Sequence, residues 1–366
     1  MVRAGLGDSW KCLLANDLDE KKAAAYGDNF DSMELLVGDV GNLETGDLPG
    51  QANLAWASFP CQDLSLAGSG AGLKGSRSGT FWPFRDLIHG LRLEGRQPDT
   101  VVLENVCGAL TSHKGADFRS LVGALGQEGY KTGALVIDAA LFVPQSRPRL
   151  FIVGVRDDLE ISPGLVLKGP CEPFHTSGVA AAYRGLSKQE KERWKWWNLP
   201  SPPPRSATFS GLIESDVLWH TREQTETLLS LMSPIHLAKV AVAKKAGKKV
   251  VGTIYKRTRP NKNGKRSQRA EVRFDEIAGC LRTPGGGSSR QTIIVVEGKR
   301  IRSRLLTPRE AARLMGLSEK YILPKSYNEA YRLMGDGVVV PVVSHLSRYL
   351  LEPLLKAKRP GLENAA

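Results

Sequence analysis

At 366 residues with 41% hydrophobic content, the chain is too long for one minimal domain and apolar enough for sizeable cores, so two domains are expected. Its net charge of +13 and pI near 9.5 point to a polyanionic partner, nucleic acid well ahead of a membrane surface. No apolar run reaches the roughly 18 residues of a membrane span, the first residues lack a secretory apolar core, and five scattered cysteines fit a reducing cytoplasm rather than a disulfide framework or a metal site.

In chain order, Lys11–Asp17 reads as a strand ending in an acid and Glu20–Tyr26 as a helix. Leu35–Val40 repeats the pattern of an apolar strand running into an acid, Asp39. Leu54–Phe59 is a third strand, with Cys61 just past its end and a glycine-studded loop, Gly68–Gly79, after it. Trp82–Leu93 has helical apolar spacing through Phe84, Leu87, Ile88 and Leu91. Thr100–Leu103 is another apolar strand, followed at once by Glu104-Asn105-Val106. Phe118–Leu125 reads as a helix, and Ala134–Ile137 and Leu150–Val155 as strands. Short apolar strands alternating with helices imply parallel βαβ units with both sheet faces covered. Past Arg156 the character changes. Trp194–Trp197, with Pro200, Pro202, Pro203 and Pro204, marks a structured linker or domain edge whose tryptophans pack. Lys244–Arg273 is densely basic and lies outside the α/β half, which favours phosphate contact over a merely solvated loop. Thr292–Val296 is a strand. Thr307 caps a helix opened by Pro308, with Glu310 as its third residue, and Val340–Leu355 is the last helix.

Cys61 and Glu104 each follow an expected parallel strand, at the edge where open α/β sheets place their chemistry. Pro60 fixes φ just before the thiol. On its own stretch, Cys61 reads equally well as a nucleophile and as a small buried hydrophobe. Gln145-Ser146-Arg147-Pro148-Arg149 adds two guanidinium forks. A thiol, a carboxyl and a pair of arginines together suit one particular task. Carbon 5 of cytosine is a poor nucleophile. A thiolate adding to carbon 6 makes carbon 5 enamine-like, an acid at ring nitrogen 3 stabilises the adduct, and carbon 5 can then take an electrophilic methyl group. Neighbouring arginines would lower the thiol pKa. The base must leave the duplex stack, at a cost of about a few kcal/mol. Gly68–Gly79 would serve as a lid over it, with Arg77 reaching the backbone.

Phe59-Pro60-Cys61-Gln62, Glu104-Asn105-Val106 and Gln145-Ser146-Arg147-Pro148-Arg149, in that order, resemble the signature motifs of the DNA cytosine-5 methyltransferases. The resemblance continues in Arg282–Arg290, Thr307–Gly316 and Gly335–Val342, and is weakest from Arg156 to Ile277. It implies an α/β fold: an S-adenosylmethionine-dependent methyltransferase (Rossmann-like) sheet with a second, smaller target-recognition domain. Residues 1–155, completed by 305–366, would form the catalytic domain, and 156–304 the basic domain that reads the target in the major groove. The implied donor is S-adenosylmethionine, with no metal. Asp17 would accept the ribose hydroxyls, Leu18 would pack on the adenine and Asp39 would take its amino group, with Val40 adjacent and Pro60 among the cofactor contacts. Cys61 would be the nucleophile and Glu104 the group at ring nitrogen 3. Arg147 would bind the cytosine carbonyl oxygen and Arg149 would support the site. Cys107 reads as a packing residue.

Double-stranded DNA is the implied partner. A separate cognate restriction endonuclease is compatible with a restriction–modification role, no membrane is expected, a monomer is the default because one active site completes within one chain, and a cytoplasmic, nucleoid-associated location is expected. Two departures stand out. The family usually opens with an apolar strand running into a Phe-x-Gly-x-Gly turn, whereas Met1–Gly7 reads as lying just after it, inside the first helix. Either the start is set too late, or the product is shortened and its donor binding impaired. Asp336-Gly337 stands where Asn-Ser is common, so Asp336 is expected to point away from the donor. Two rivals remain: an RNA (tRNA) cytosine-5 methyltransferase, and a catalytically impaired DNA-binding remnant.

Overall fold

The structure, a computed structural model, describes residues 1–59, 80–260, 266–284 and 290–356. The chain forms two compact units. The first comprises Leu6–Asp138, Pro148–Pro202 and 344–356; the second comprises Met1–Gly5, Ala139–Arg147 and Pro203–Val343.

In the first unit, Ala15–Asp17 (β1) and Leu35–Val37 (β2) pair in parallel, with Asp17 opposite Val37. The helix Glu20–Gly27 joins them and is capped by Asp19, whose carboxylate accepts from the amides of Lys21 and Lys22. This pair stays open, with Leu36 and Val37 exposed. Leu54–Ala57 (β3), Thr100–Val106 (β4), Tyr130–Asp138 (β5) and Pro148–Arg156 (β6) form a four-stranded sheet in the order β3-β4-β6-β5. β4, β5 and β6 are buried along nearly their whole lengths, so their sequences read as apolar runs rather than alternations. The helices Phe81–Leu93 and Ala116–Gln127 pack through Phe81, Ile88, Phe118, Leu121 and Leu125 in the core of this unit. Each such side chain taken fully out of water contributes about 1.5–3 kcal/mol.

The expectation of parallel units throughout is corrected at the last strand. β3 and β4 are parallel, but β6 runs antiparallel to both β4 and β5. A parallel return needs a crossover of about a dozen residues or more, and the connection 139–147 is shorter than that. Val166–Leu167 (β7) and Trp196–Trp197 (β8) make a small antiparallel pair. Trp194 and Trp196 join the core beside Tyr183, and Trp197 is fully buried with its indole N–H donating to the Val153 carbonyl at 3.2 Å. These tryptophans are packing residues. The approach of this segment to β5 is close: a Cβ added to Gly133 would lie 2.0 Å from the Lys195 carbonyl oxygen.

The second unit holds another four-stranded sheet, Val250–Pro260 (β9), Arg266–Arg273 (β10), Thr292–Glu297 (β11) and Arg300–Leu305 (β12), in the order β10-β9-β11-β12 and antiparallel throughout. Leu228 of the helix Arg222–Ser230, and Val240 and Ala243 of Pro234–Lys245, pack with Ile254, Val272, Ile294 and Val296. The basic stretch Lys244–Arg273 is thus largely a β-hairpin rather than a loop. Thr307 caps the helix Pro308–Leu314 as its sequence foretold. Its hydroxyl accepts from the Glu310 amide at 3.1 Å, and the Glu310 carboxylate accepts from the Thr307 amide at 2.8 Å.

The final expected helix is three pieces, Val340–Leu346, a π-helical turn Ser347–Leu351, and Glu352–Leu355. The stretch Tyr327–Leu355 is long and apolar enough to cross a membrane by length and composition. It is interrupted at 337–339, however, and its Val342, Val343, Leu346, Leu350 and Leu354 are buried in protein.

Candidate active site

The register of β3 on β4 pairs Ala57 with Leu103, which brings the ends of both strands to one edge. Glu104 is the next residue of β4, and its side chain is buried. Beside it, the Asn105 side-chain amide donates to the Phe59 carbonyl at 3.2 Å, while its oxygen accepts from the Val106 amide at 2.9 Å. The Phe59 ring packs on Phe81, with centroids 5.5 Å apart. The chain is therefore pinned to β4 immediately before Pro60 and Cys61. Pro60, Cys61, the Gly68–Gly79 loop and Arg77 lie outside the described residues.

Arg149 comes to the same edge from β6, where it pairs with Val106. Its Nε lies 3.3 Å from Glu104 Oε1, and both side chains are largely withdrawn from water. An ion pair in so dry a setting is held far more firmly than a surface pair. Cys107 follows β4 and is partly buried. Burial pushes its thiol above the usual range, against a smaller pull downward from Arg149. A neutral thiol at neutral pH is a poor nucleophile, so its surroundings agree with the packing reading.

Asp17 and Asp39 sit where β1 and β2 end. Asp17 Oδ1 accepts from the Asp19 amide at 2.9 Å, and the Gly38 amide donates to the Asp17 carbonyl at 3.0 Å. Asp39 caps a turn of 3-10 helix, Val40–Asn42, by accepting from the Gly41 amide at 2.9 Å. Asn16 ties the two strands with side-chain bonds to the carbonyls of Leu36 and Gly38, each at 3.0 Å. The two acids thus share the carboxyl edge of one parallel pair, with Leu18 69% exposed beside them. Apolar surface left in water next to two carboxylates fits the adenosine end of a nucleoside cofactor.

Arg147 belongs to the second unit and is placed differently from the sequence reading. It is 2% exposed. Its guanidinium donates to the carbonyls of Leu281 at 2.8 Å, Gly335 at 2.7 Å and Gly337 at 2.7 Å, and its Nη1 lies 3.2 Å from Cys280 Sγ. A guanidinium so engaged is a structural clamp. The expectation that it meets the cytosine oxygen is at odds with this placement, whereas Arg149 is beside Glu104. Two residues with positional roles escaped the sequence reading. One is Asn105. The other is Gln145, which is wholly buried, donates to the Leu314 carbonyl at 2.8 Å and accepts from the Leu281 amide at 3.0 Å. Each is an amide inside a motif already quoted, to which the sequence reading gave no role of its own. Asp336 hydrogen-bonds the Thr283 hydroxyl, so it has a partner within its own unit. Of the stretch Arg282–Arg290, residues 285–289 lie outside the described residues. Among the described residues no group of His, Cys, Asp and Glu has the arrangement to hold a metal ion.

The family model for C-5 cytosine-specific DNA methylases matches residues 2–352. The chain belongs to this family. Type II methyltransferase M1.ScrFI of Lactococcus lactis subsp. cremoris is 25% identical over 361 residues, which is 95% of this chain and 74% of that relative. Type II methyltransferase M.Bsp6I of Bacillus sp. (strain RFL6) is 26% identical, covering 93% of this chain and 91% of its own length. Among solved structures, the Dnmt2 methyltransferase of S. pombe aligns over 94% of this chain and 91% of its own, with a TM-score of 0.56 at 17% identity. A putative DNA modification methyltransferase encoded within an E. coli prophage covers 97% of this chain and 95% of its own, with a TM-score of 0.55 at 16% identity. These likenesses place the fold among the methyltransferases. The chain is an enzyme of the DNA cytosine-5 methyltransferase class.

Proposed function

We propose that this methylase transfers the methyl group of S-adenosylmethionine to carbon 5 of a flipped-out cytosine in a specific duplex DNA sequence, through a covalent bond from Cys61 to carbon 6. The observation that carries this reading is the Glu104–Arg149 pair, 3.3 Å apart at the edge to which Asn105 pins the Phe59 end of the Cys61 stretch.

In this mechanism the Cys61 thiol gives up its proton and the thiolate adds to carbon 6, moving the electron pair of the 5,6 double bond onto carbon 5. Glu104 hydrogen-bonds ring nitrogen 3 and stabilises the adduct. Arg149 takes the cytosine carbonyl oxygen and orients Glu104, exchanging roles with Arg147, which clamps carbonyls of the second unit. S-adenosylmethionine would supply an electrophilic methyl group, which the electron pair on carbon 5 takes as the donor's methyl–sulfur bond breaks and its pair returns to that sulfur, leaving S-adenosylhomocysteine. Loss of the carbon 5 proton to a base and breakage of the carbon–sulfur bond then restore the double bond and the thiolate. Asp17 would hold the ribose hydroxyls and Asp39 the adenine amino group, with Leu18 and Val40 against the ring and Pro60 nearby. Residues 156–304 would supply target recognition. Double-stranded DNA is the polyanion that the net charge of +13 anticipates. A cognate endonuclease as a separate protein, a monomeric state and a cytoplasmic location complete the proposal.

The test is methyl transfer from labelled S-adenosylmethionine to unmethylated genomic DNA, read by bisulfite sequencing, beside Cys61→Ala. Methylation confined to one sequence and abolished in the variant is expected. Transfer to tRNA in preference to DNA would replace the substrate. DNA binding without transfer would support the impaired remnant.

A further inference from the structure

Within the second unit, β9 outlasts one of its neighbours. β11 pairs with β9 only from Val250 to Ile254, and beyond that point, among the described residues, β9 pairs with β10 alone. Residues 255–260 and 266–271 therefore form a two-stranded ribbon clear of the rest of the sheet. At about 3.4 Å per residue the ribbon extends roughly 20 Å, with its strands about 4.8 Å apart. A ribbon of this section fits a DNA major groove, about 12 Å wide.

Side chains alternate between its faces, and the register says which share one. On one face Arg257 stands directly opposite Arg269, both exposed. On the other, Thr258 stands opposite Gln268, also both exposed. Like charges directly across an antiparallel pair are destabilising. By sequence the ribbon carries Lys256, Arg257, Arg259, Arg266 and Arg269 against one acid, Glu271. Its charge is thus arranged for an anionic ligand rather than for its own stability.

The ribbon is also well founded. At its root Ala270 is buried and its amide donates to the Leu231 carbonyl at 3.0 Å. Tyr255 packs so closely on Gly279 that a Cβ there would lie 1.0 Å from the phenol oxygen. Glu271 holds Arg257 at 3.2 Å, and the Arg257 guanidinium lies 5.8 Å from the Tyr255 ring centroid. A diffuse phosphate contact needs no such ordering, whereas reading a base edge requires an aimed fork.

We infer that the Arg257–Arg269 face of this ribbon enters the major groove and reads guanine, each guanidinium directed at O6 and N7 of one base. The inference rests on the DNA methylase reading above and adds which residues select the sequence.

The experiment is enrichment of duplexes from a randomised library by the full chain at one fixed salt concentration, without methyl donor, for the wild type, Arg257→Ala, Arg269→Ala, Arg269→Lys and Gln268→Ala. The wild type is expected to enrich a site containing guanine. Each Arg→Ala change should cut discrimination at particular guanines by on the order of tenfold to a hundredfold. Arg269→Lys keeps the charge but not the fork, so affinity should hold while preference at that position relaxes. Gln268→Ala, on the opposite face, should leave the profile intact. Three results would overturn the inference: uniform weakening on all sequences by the Arg→Ala variants, an unchanged profile in both of them, or a wild type that enriches no site. If the selected site then takes no methyl group when labelled S-adenosylmethionine is added, the enzymatic reading fails, while the library profiles of the variants still decide the ribbon.

Discussion

The two four-stranded sheets carry their charge in opposite ways. In the first unit, β4 and β6 are buried along most of their lengths, and their ion pair, Glu104 with Arg149, stands near strand ends. In the second unit, Lys256, Arg257 and Arg269 are distributed along β9 and β10, past the point where β11 stops. Burying an unpaired charge is expensive, so a fully covered sheet confines ionic groups to its edges, where neighbours fix them at 3.3 Å. A ribbon clear of its sheet tolerates charge at successive exposed positions, and Glu271, 3.2 Å from Arg257, still orders a fork there. One arrangement suits a reaction inside a dry site, and the other the base edges along an exposed groove. Arg147 and Arg149 repeat the contrast two residues apart: the first clamps three carbonyls, the second pairs with a carboxylate.

Several substitutions sharpen this comparison. Glu104→Gln should have the largest effect on the reaction among the described residues, lowering kcat by roughly a hundredfold or more at temperatures where the variant is still fully folded. Single-turnover rates beside a thermal melt would check it; equal losses of rate and of folded protein would break the distinction between chemistry and scaffold. Arg147→Met should do the reverse. Leaving buried carbonyls without their donor costs about 1–3 kcal/mol each, so a drop of several degrees in melting temperature is expected. Arg149→Met leaves the buried Glu104 carboxylate without its cation, so it should lower the melting temperature as well, but unlike Arg147→Met it should stay inactive at temperatures where it is fully folded. A stable, fully active Arg147→Met enzyme would contradict the clamp. Thr307→Ala removes one half of a capping box and should cost about 1 kcal/mol, measured by chemical denaturation.

The smallest effect concerns pH. His175 and His345 are buried in the first unit, and desolvation lowers both pKa values from their ordinary 6.5. The unfolded chain then binds protons that the folded chain refuses. The stability these residues contribute is complete above about 6.5 and is lost as pH falls through the unfolded value toward the folded one. A melting temperature lower at pH 5 than at pH 7, with a difference reduced in His175→Gln, is the expected result.

Much of this was legible in the sequence because it depends on local pattern. The apolar runs of β4 and β6 marked buried strands, Thr307 with Pro308 and Glu310 announced a helix start, and Glu104-Asn105-Val106 fell at the end of β4. What was not legible depends on which unit claims a residue. Spacing alone does not reveal that Arg147 belongs with Leu281 and Gly335 while Arg149 belongs with Glu104. The reversed direction of β6 was available in principle, since the connection 139–147 is too short to cross over a sheet. The ribbon was hidden because its residues are strongly polar, and a charge-dense strand looks like a solvated loop when its pairing is unknown.

The central claim is that Cys61 bonds to the target base, and the most direct measurement traps that bond. With fluorine in place of hydrogen on carbon 5 of the target cytosine, methylation leaves no proton to remove, and the carbon–sulfur bond persists. Incubating the wild type with such a duplex and S-adenosylmethionine should yield a denaturant-resistant protein–DNA complex whose attachment maps to Cys61, and Cys61→Ala should yield none. Methyl transfer to ordinary DNA without any trapped complex on the fluorinated duplex, or a complex that survives Cys61→Ala, would contradict the account.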